Sequence, residues 1–263
     1  MRLFQPNYLI QNKYKPSRCK FNLFENFDLF VKYIREESLS RKMIKIANKM
    51  VVFGVEGPIV LPNGRFWSVS AEVKDGLWGK HYILMSPNLE SVIKKKQSFL
   101  RLDSGCFSGM VLGDTTCDCL NQFRRAQDIV LKRGGIIVHI PDHDGRGWGD
   151  YKMANQRIMD ECDIDTIQTA KAFYGNEELI DIRTYDEAVL ILRALGFPIG
   201  FKFDLGTKNP KKNNALVKAG FVVSSMPIEV DRPSVRISKN LKAKYKYWQS
   251  VKKGEEYESS EKR

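Results

Sequence analysis

Residues 120–149 read LNQFRRAQDIVLKRGGIIVHIPDHDGRGWG, and the order of textures within them decides the fold. Leu120, Phe123, Ile129 and Val130 share one helical face, Gly134-Gly135 suits the helix end, and Ile136 to Ile140 reads as a buried strand. The loop from Pro141 to Gly149 then feeds another helix. Units of strand, loop and helix place the loop at the carboxyl end of the strand, the usual location for ligand sites in open sheets. Downstream, Asp186 to Leu195 predicts a helix stopped by Gly196, Ile199 to Leu205 a strand, Pro210 to Ala219 a helix with proline in its first turn, and Phe221 to Val223 a strand. Upstream, from Gly54 to about Leu102, runs rich in Val, Ile, Phe, Trp and Tyr are broken by turns at Pro62-Asn63-Gly64, Asp75-Gly76 and Ser86-Pro87-Asn88, so this stretch reads as β. Further upstream, Leu23 to Ile46 carries Phe24, Phe27, Val31 and Ile34 at the spacing of an amphipathic helix. The expected fold is α+β to α/β: a mixed sheet with an N-terminal strand-rich part, strand-loop-helix units in the second half, and an N-terminal helical extension.

The chain has 263 residues and a formal charge of +12, which by itself points to nucleic acid or an anionic membrane. The distribution argues otherwise. Residues 1–50 hold 11 basic and 4 acidic side chains and residues 232–263 hold 10 and 4, leaving −1 over residues 51–231. The expected organisation is therefore a basic helical extension (1–50), a neutral central domain (51–231) and a basic C-terminal segment (232–263), disordered by composition from Lys252. Only the basic termini support a nucleic-acid binder, with Tyr245, Tyr247 and Trp248 interleaved among the tail lysines. No apolar run approaches the roughly 18–20 residues of a membrane span, and no secretion signal is visible, so the expectation is a cytoplasmic protein without a membrane partner. Five cysteines (Cys19, Cys106, Cys117, Cys119, Cys162) are an odd set for a disulfide framework.

Three of those cysteines cluster as Cys106, ten residues, Cys117-Asp118-Cys119. Three thiolates on a loop that doubles back can fill three corners of a Zn²⁺ tetrahedron, and a fourth corner left to water is the layout of a catalytic site. The alternatives are a structural zinc completed by His81, His139 or His143, and buried free thiols. In the loop after the buried strand, Asp144-Gly145-Arg146-Gly147 offers glycine backbone and a guanidinium to an anion, or simply a tight turn. Asp181-Ile182-Arg183 puts an acid and a base on the same side of an extended segment, as a functional pair or a surface salt bridge. Gly206 to Lys212 carries a hydroxyl, amides and ammonium groups at a helix start, suited to a polyphosphate or to solvent.

In this order, over roughly residues 55–248, these segments resemble the GTP cyclohydrolase II family. The family's pattern Arg-x-His-Ser-Glu-Cys, ten residues, Cys-Asp-Cys falls on Arg101 to Cys119, and the resemblance implies that Cys106, Cys117 and Cys119 hold catalytic zinc. It likewise implies nucleotide contacts from Arg101, Ser104, Gln122 (to the guanine base), Asp144, Gly145, Arg146, Thr166, Thr207 and Lys212. Asp181 and Arg183 fall on the Asp-x-Arg pair, implied to be the proton acceptor and the nucleophile that takes the nucleotide as a covalent adduct. The implied reaction expels pyrophosphate from GTP with Mg²⁺ assisting, adds water at C8 of the guanine, opens the imidazole ring and releases formate. The implied assembly is a homodimer. The sequence departs from the pattern where Asp103 stands for the family's histidine, Gly105 for its glutamate, Asp144 for the glutamate of its Glu-Gly-Arg turn and Arg157 for a tyrosine, and where three extra residues precede Asp181. A guanidinium cannot pass a proton as a phenol does, so the variants left open are one that stops at the formamidopyrimidine and a silent nucleotide-binding homologue.

Overall fold

The computed structural model describes residues 42–86, 89–149, 151–229, 231 and 233–253. Among them eight strands form one mixed sheet, in the order β1-β2-β3-β4-β6-β5-β7-β8. Strands β1 (Lys42–Ile46), β2 (Lys49–Leu61), β3 (Gly64–Val73) and β4 (Lys80–Met85) make an antiparallel meander. Strand β4 pairs antiparallel with β6 (Gly135–Ile140), and from there β6, β5 (Gln97–Ser104), β7 (Lys202–Leu205) and β8 (Val222–Ser225) run parallel.

Eight helices accompany the described strands: α1 (Leu89–Lys94), α2 (Phe107–Met110), α3 (Cys119–Arg133), α4 (Tyr151–Cys162), α5 (Thr166–Tyr174), α6 (Asp186–Ala194), α7 (Pro210–Lys218) and α8 (Val235–Lys253). The continuous apolar run of β6 has a simple cause, because both faces of the strand are covered. Ile136, Val138 and Ile140 face a core shared with Ala188, Ile191 and Leu192 of α6 and Leu216 of α7. Ile137 faces the opposite layer, where Ala126 and Val130 of α3 pack on Phe66, Leu84 and Phe99. Truncating one of these fully buried aliphatics to alanine costs about 2–5 kcal/mol.

Strand β5 positions the site. Its neighbours are β6 and β7, so the segments leaving β5, β6 and β7 emerge side by side at one edge. Leu100 and Leu102 point into the α6 core while Phe99 joins the α3 layer. Alternation therefore sends Arg101 and Asp103, both buried, to the α3 side at the strand's carboxyl end.

Three expectations are corrected. The helical reading up to Ile46 overran: residues 42–46 are a strand in which Ile44 and Ile46 pack on the core and Met43 is exposed, a period of two. The rest of that expected helix lies outside the described residues. The β reading of residues 54–102 passed over α1, a single six-residue helix inserted after the Ser86 turn. Helix α8 takes in Lys252 and Lys253, the first two residues of the tail expected to be disordered, and Ile237, Ala243 and Tyr247 give the helix a buried face. Residues 254–263, the remainder of the expected disordered tail, lie outside the described residues.

Candidate active site

Cys106 follows β5 directly, Cys117 ends the loop beyond α2, and Cys119 opens α3. The three sulfurs lie within 4.8 Å of one another, with Cys106 and Cys117 at 3.7 Å. A tetrahedral metal with metal–sulfur bonds of about 2.3 Å has sulfurs separated by about 3.8 Å, so the triangle fits such an ion with little adjustment. Gly109 in α2 makes the triangle possible, since a Cβ there would run into Cys117 Sγ and stand 3.0 Å from Cys106 Sγ. Crowding pushes the thiols up: Cys119 lies well above the usual thiol value, first through its hydrogen bond to Cys106, then through Cys117 and burial. Three neighbouring sulfurs share negative charge poorly without a cation. Among the described residues no histidine joins them. His139 Nδ1 is 2.8 Å from Asp103 Oδ2, His81 Nδ1 is 3.3 Å from Gly79 O, and His143 stands edge-on between Trp78 and Tyr185.

The loop leaving β6 turns through left-handed backbone at both Gly145 (φ 55°) and Arg146 (φ 64°), the second an uncommon conformation for a residue with a side chain. Asp144 ties this turn to the cysteine segment: its carboxylate accepts from Gly145 N (2.9 Å) and from Phe107 N (3.2 Å). Arg146 donates to Thr166 O (3.2 Å) and Thr166 Oγ1 (2.9 Å), and Asn155 Nδ2 reaches the same hydroxyl at 3.3 Å. Thr166 is the first residue of α5, whose start is fixed by a capping box between Asp165 and Gln168.

Beneath these groups lies a buried network. Arg101 donates to Gly206 O (2.6 Å), Gln122 Oε1 (2.7 Å) and Asp103 Oδ1 (3.2 Å), while Gln122 donates in turn to Asp118. Burial pushes the Asp103 carboxyl up, but the His139 hydrogen bond and the Arg101 charge outweigh it and the net direction is down. Lys212 donates to Leu102 O (2.7 Å), and burial with the charges of Arg101 and Arg183 drives its ammonium well below the usual lysine value. Thr207 Oγ1 accepts from Asn209 N (3.1 Å) and shapes the turn before α7.

Asp181 and Arg183 form a two-pronged pair: Nε to Oδ1 at 2.7 Å and Nη2 to Oδ2 at 2.5 Å, with Nη1 on Ser104 Oγ at 3.1 Å. Burial would raise Asp181, yet Arg183, Lys211 and Arg146 together pull its carboxyl down to about 2. The guanidinium, lowered by burial, is raised on balance by the same carboxylate. This is a nearly buried pair (side chains 4% and 14% exposed), unlike the surface salt bridge that was its plainer alternative.

All these groups face one cleft. Arg101, Ser104, Gln122, Asp144, Gly145, Arg146, Thr166, Thr207, Lys212, Asp181, Arg183 and the three cysteines line it without exception. Its cavity volume is about 210 Å³, below the roughly 300–1,000 Å³ common for small-molecule sites. Sequence reasoning missed Gly109 and Asn155, and it matched Leu241 to Lys244 to the family's C-terminal Leu-x-Thr-Lys segment without placing α8 at the cleft. A glycine inside the ten-residue gap between Cys106 and Cys117 was the available signal for the first, and the 237, 243, 247 apolar spacing for α8.

Comparison with known proteins agrees with this geometry. The sequence profile of the family described as GTP cyclohydrolase II matches residues 72–227, more than half of the chain. The chain belongs to the GTP cyclohydrolase II family. It is 34% identical over 137 residues to the riboflavin biosynthesis protein RibBA of Aquifex aeolicus, covering 50% of this chain and 32% of that protein. It is 28% identical over 161 residues to the GTP cyclohydrolase-2 of Campylobacter fetus (60% of this chain, 75% of that one). With the GTP cyclohydrolase-2 of Helicobacter pylori strain Shi470 it shares 32% identity over 139 residues (53% and 66%). The matched stretch thus spans about a third of one of these relatives and two thirds to three quarters of the other two.

As a member of the GTP cyclohydrolase II family the chain shows what its departures do in space. At Gly105 a Cβ would collide with the carbonyl of Pro141, so no side chain fits where the family pattern has glutamate. Arg157 is 79% exposed and pairs with Glu161 one turn along α4, facing solvent and not the cleft. Asp103 sits opposite His139 in the β5–β6 register and bonds it directly. No helix of the described residues is long and apolar enough to cross a membrane.

Proposed function

We propose that this chain is a zinc-dependent GTP cyclohydrolase that opens the guanine imidazole ring at C8 of GTP, releasing pyrophosphate and formate and leaving a diaminopyrimidine ribosylamino phosphate. The observation that carries the reading is the meeting, in one cleft, of a three-sulfur triangle with an open side and the buried Asp181–Arg183 pair. Zinc on Cys106, Cys117 and Cys119 would supply a water activated near neutral pH, and Mg²⁺ is expected to accompany the triphosphate. Arg101, Arg146 and Lys212 give the cleft its positive lining, and the Arg101–Gln122 bond presents Gln122 to a base. The riboflavin biosynthesis in the relatives' names supports the same pathway here, and we take the enzyme to act as a homodimer in the cytoplasm.

Arg183 is the nucleophile in this reading. With Nε and Nη2 held by Asp181, Nη1 is the nitrogen free to turn from Ser104 to the α-phosphorus. A guanidinium must lose a proton to attack, and Asp181 is within hydrogen-bond reach to take it. Its pKa is a balance between burial, which raises it, and the Arg183 charge, which lowers it. As that charge is lost, burial is left in command and the carboxyl gains affinity for the proton.

Gly105 and Arg157 favour a second reading, in which ring opening is not followed by loss of formate, because neither position places an acid or a phenol in the cleft. The test is incubation of the purified protein with GTP, Mg²⁺ and zinc, with products followed by mass spectrometry. Formate with the diaminopyrimidine supports the first reading, and a product heavier by one retained formyl group the second. GTP binding without turnover overturns both in favour of a silent homologue.

A further inference from the structure

Helix α8 lies beyond residues 72–227, which the family profile matches, though mostly within the stretch 55–248 that resembles the family, and it closes one side of the cleft. Its rotation about its own axis is fixed from three directions. Ala243 and Tyr247 pack on Ile167, Ala170 and Ile180. Arg236 pairs with Asp160 at 2.5 Å and Lys239 with Asp163 at 3.1 Å, both partners belonging to α4 or its end. Lys208, from the loop after β7, stands 5.8 Å over the ring of Tyr245. Asn240, Leu241, Lys244 and Trp248, the last also packed on the α5 cluster, line the cleft together with Tyr247. This spacing of one and two turns puts those side chains on a single helical face.

Two of the four carry unused polar capacity. Asn240 Oδ1 is buried and accepts no hydrogen bond among the described residues. Lys244 makes no ion pair there, although its neighbours on the helix, Arg236 and Lys239, are both spent on carboxylates. The packing of α8 on α5, whose first residue is the Thr166 held by Arg146, sets this stripe near the Arg146 guanidinium. We propose that α8 is a substrate-binding wall for a nucleoside polyphosphate, with Lys244 meeting the terminal phosphates and Asn240 Oδ1 accepting a hydrogen bond from a ribose hydroxyl. An ammonium suits an anion and a buried amide oxygen suits a donor, so the two recognise different parts of one ligand. This deepens the cyclohydrolase reading and rests on it for the identity of the base.

The experiment is calorimetric titration of the full chain and of Lys244→Ala, Asn240→Leu and Lys242→Ala with GTP and with inorganic tripolyphosphate, alongside steady-state kinetics. Lys244→Ala should weaken both ligands by roughly ten- to a hundredfold, the value of one charge-assisted hydrogen bond, and raise KM with kcat within twofold. Asn240→Leu should weaken GTP and leave tripolyphosphate unchanged. Lys242, exposed and outside the cleft lining, should change neither. GTP and tripolyphosphate binding by Lys244→Ala at wild-type strength overturns the proposal, as does a wild-type chain that binds neither. Tripolyphosphate binding that depends on Lys244 in a chain that ignores GTP keeps the wall and rejects the guanine-nucleotide reading. Unchanged thermal melting of Lys244→Ala, whose side chain is only half buried, excludes unfolding as the cause.

Discussion

Gly109→Ala separates a metal triangle from three incidental thiols. Gly109 sits in α2, where alanine is ordinarily the better residue by about 0.5–1 kcal/mol. Here the added methyl would overlap Cys117 Sγ and stand 3.0 Å from Cys106 Sγ, against ordinary contact at 3.4–4 Å. Cys117 must therefore retreat by more than about 1 Å, whereas metal–ligand distances tolerate about 0.2 Å. The retreat removes one of the three sulfurs. Structural zinc sites bind with about 10–16 kcal/mol over four ligands, so one sulfur corresponds to on the order of 3 kcal/mol, or roughly a hundredfold in zinc affinity. The assay is competition for zinc against a coloured chelator of known affinity, with metal content measured in parallel. Melting of the reduced, metal-free protein should stay the same or rise slightly. A Gly109→Ala protein that holds one zinc within threefold of wild-type affinity refutes the reasoning, because the sulfurs would then not be the ligands.

Three further perturbations test the buried charges and the departures from the family pattern. Asp181→Asn leaves Arg183 buried without its carboxylate and should cost about 3–5 kcal/mol in urea unfolding. Because Asp181 is held at about 2, its stabilising share is complete above the unfolded value near 3.9 and is lost as pH falls toward 2; a wild-type-to-variant gap that stays constant across that window contradicts the pairing. Burial lowers His81 to about 4 and His143 to about 2, so between pH 6.5 and 4 only the unfolded chain takes up their protons. Stability should then fall with pH by about 1.4 kcal/mol per unit for each histidine, and His143→Gln should remove about half of that slope; melting that is flat from pH 7 to 4.5 would argue that both rings are solvated. Gly105→Ala should lower the urea midpoint, by about 1–3 kcal/mol for an overpacked site, since its methyl meets backbone at Pro141; an unmoved midpoint would mean that this close approach relaxes freely.

Much of this architecture is legible in the sequence wherever one local cause acts. Ile136 to Ile140 announces a strand because both of its faces are covered, and Gly134 and Gly196 mark helix ends because the backbone there is left-handed (φ 79° and 98°). The cysteine spacing is legible because few other chemistries need three sulfurs so close. What escapes has tertiary causes. Six residues at 89–94 make less than two turns, too few to show a period. The strand at 42–46 continues an amphipathic pattern until β2 captures it, and capture is visible only once β2 is in place. Helix α8 hides a sparse buried face among lysines, and its docking depends on where α5 lies. The histidines carry no spacing signal, because the β4–β6 pairing, and not proximity along the chain, brings His81 and His139 to the same end of the sheet.

Two of the departures from the family pattern, Asp103 and Gly105, form one structural change rather than separate losses. Gly105 N donates to Ile140 O at 2.8 Å, which extends the β5–β6 ladder one residue past the strand end and brings the Pro141 carbonyl to the place a side chain at 105 would occupy. One step back in the same ladder, Asp103 faces His139 and bonds it. The two strands are thus drawn together at the edge of the cleft by a backbone bond and a side-chain bond in adjacent positions, and Arg101, gripping Asp103, fixes the near wall where Gln122 is presented. A carboxylate is still available at this edge, but it comes from position 103, it is buried at 3% exposure, and it is engaged on both oxygens. Held below the usual carboxylate range, Asp103 is an acceptor and not an acid near neutral pH. In the proposed reaction, proton donation to a leaving group would therefore fall to groups outside the β5–β6 edge, and with Arg157 turned to solvent the step most exposed to that shortage would be the loss of formate.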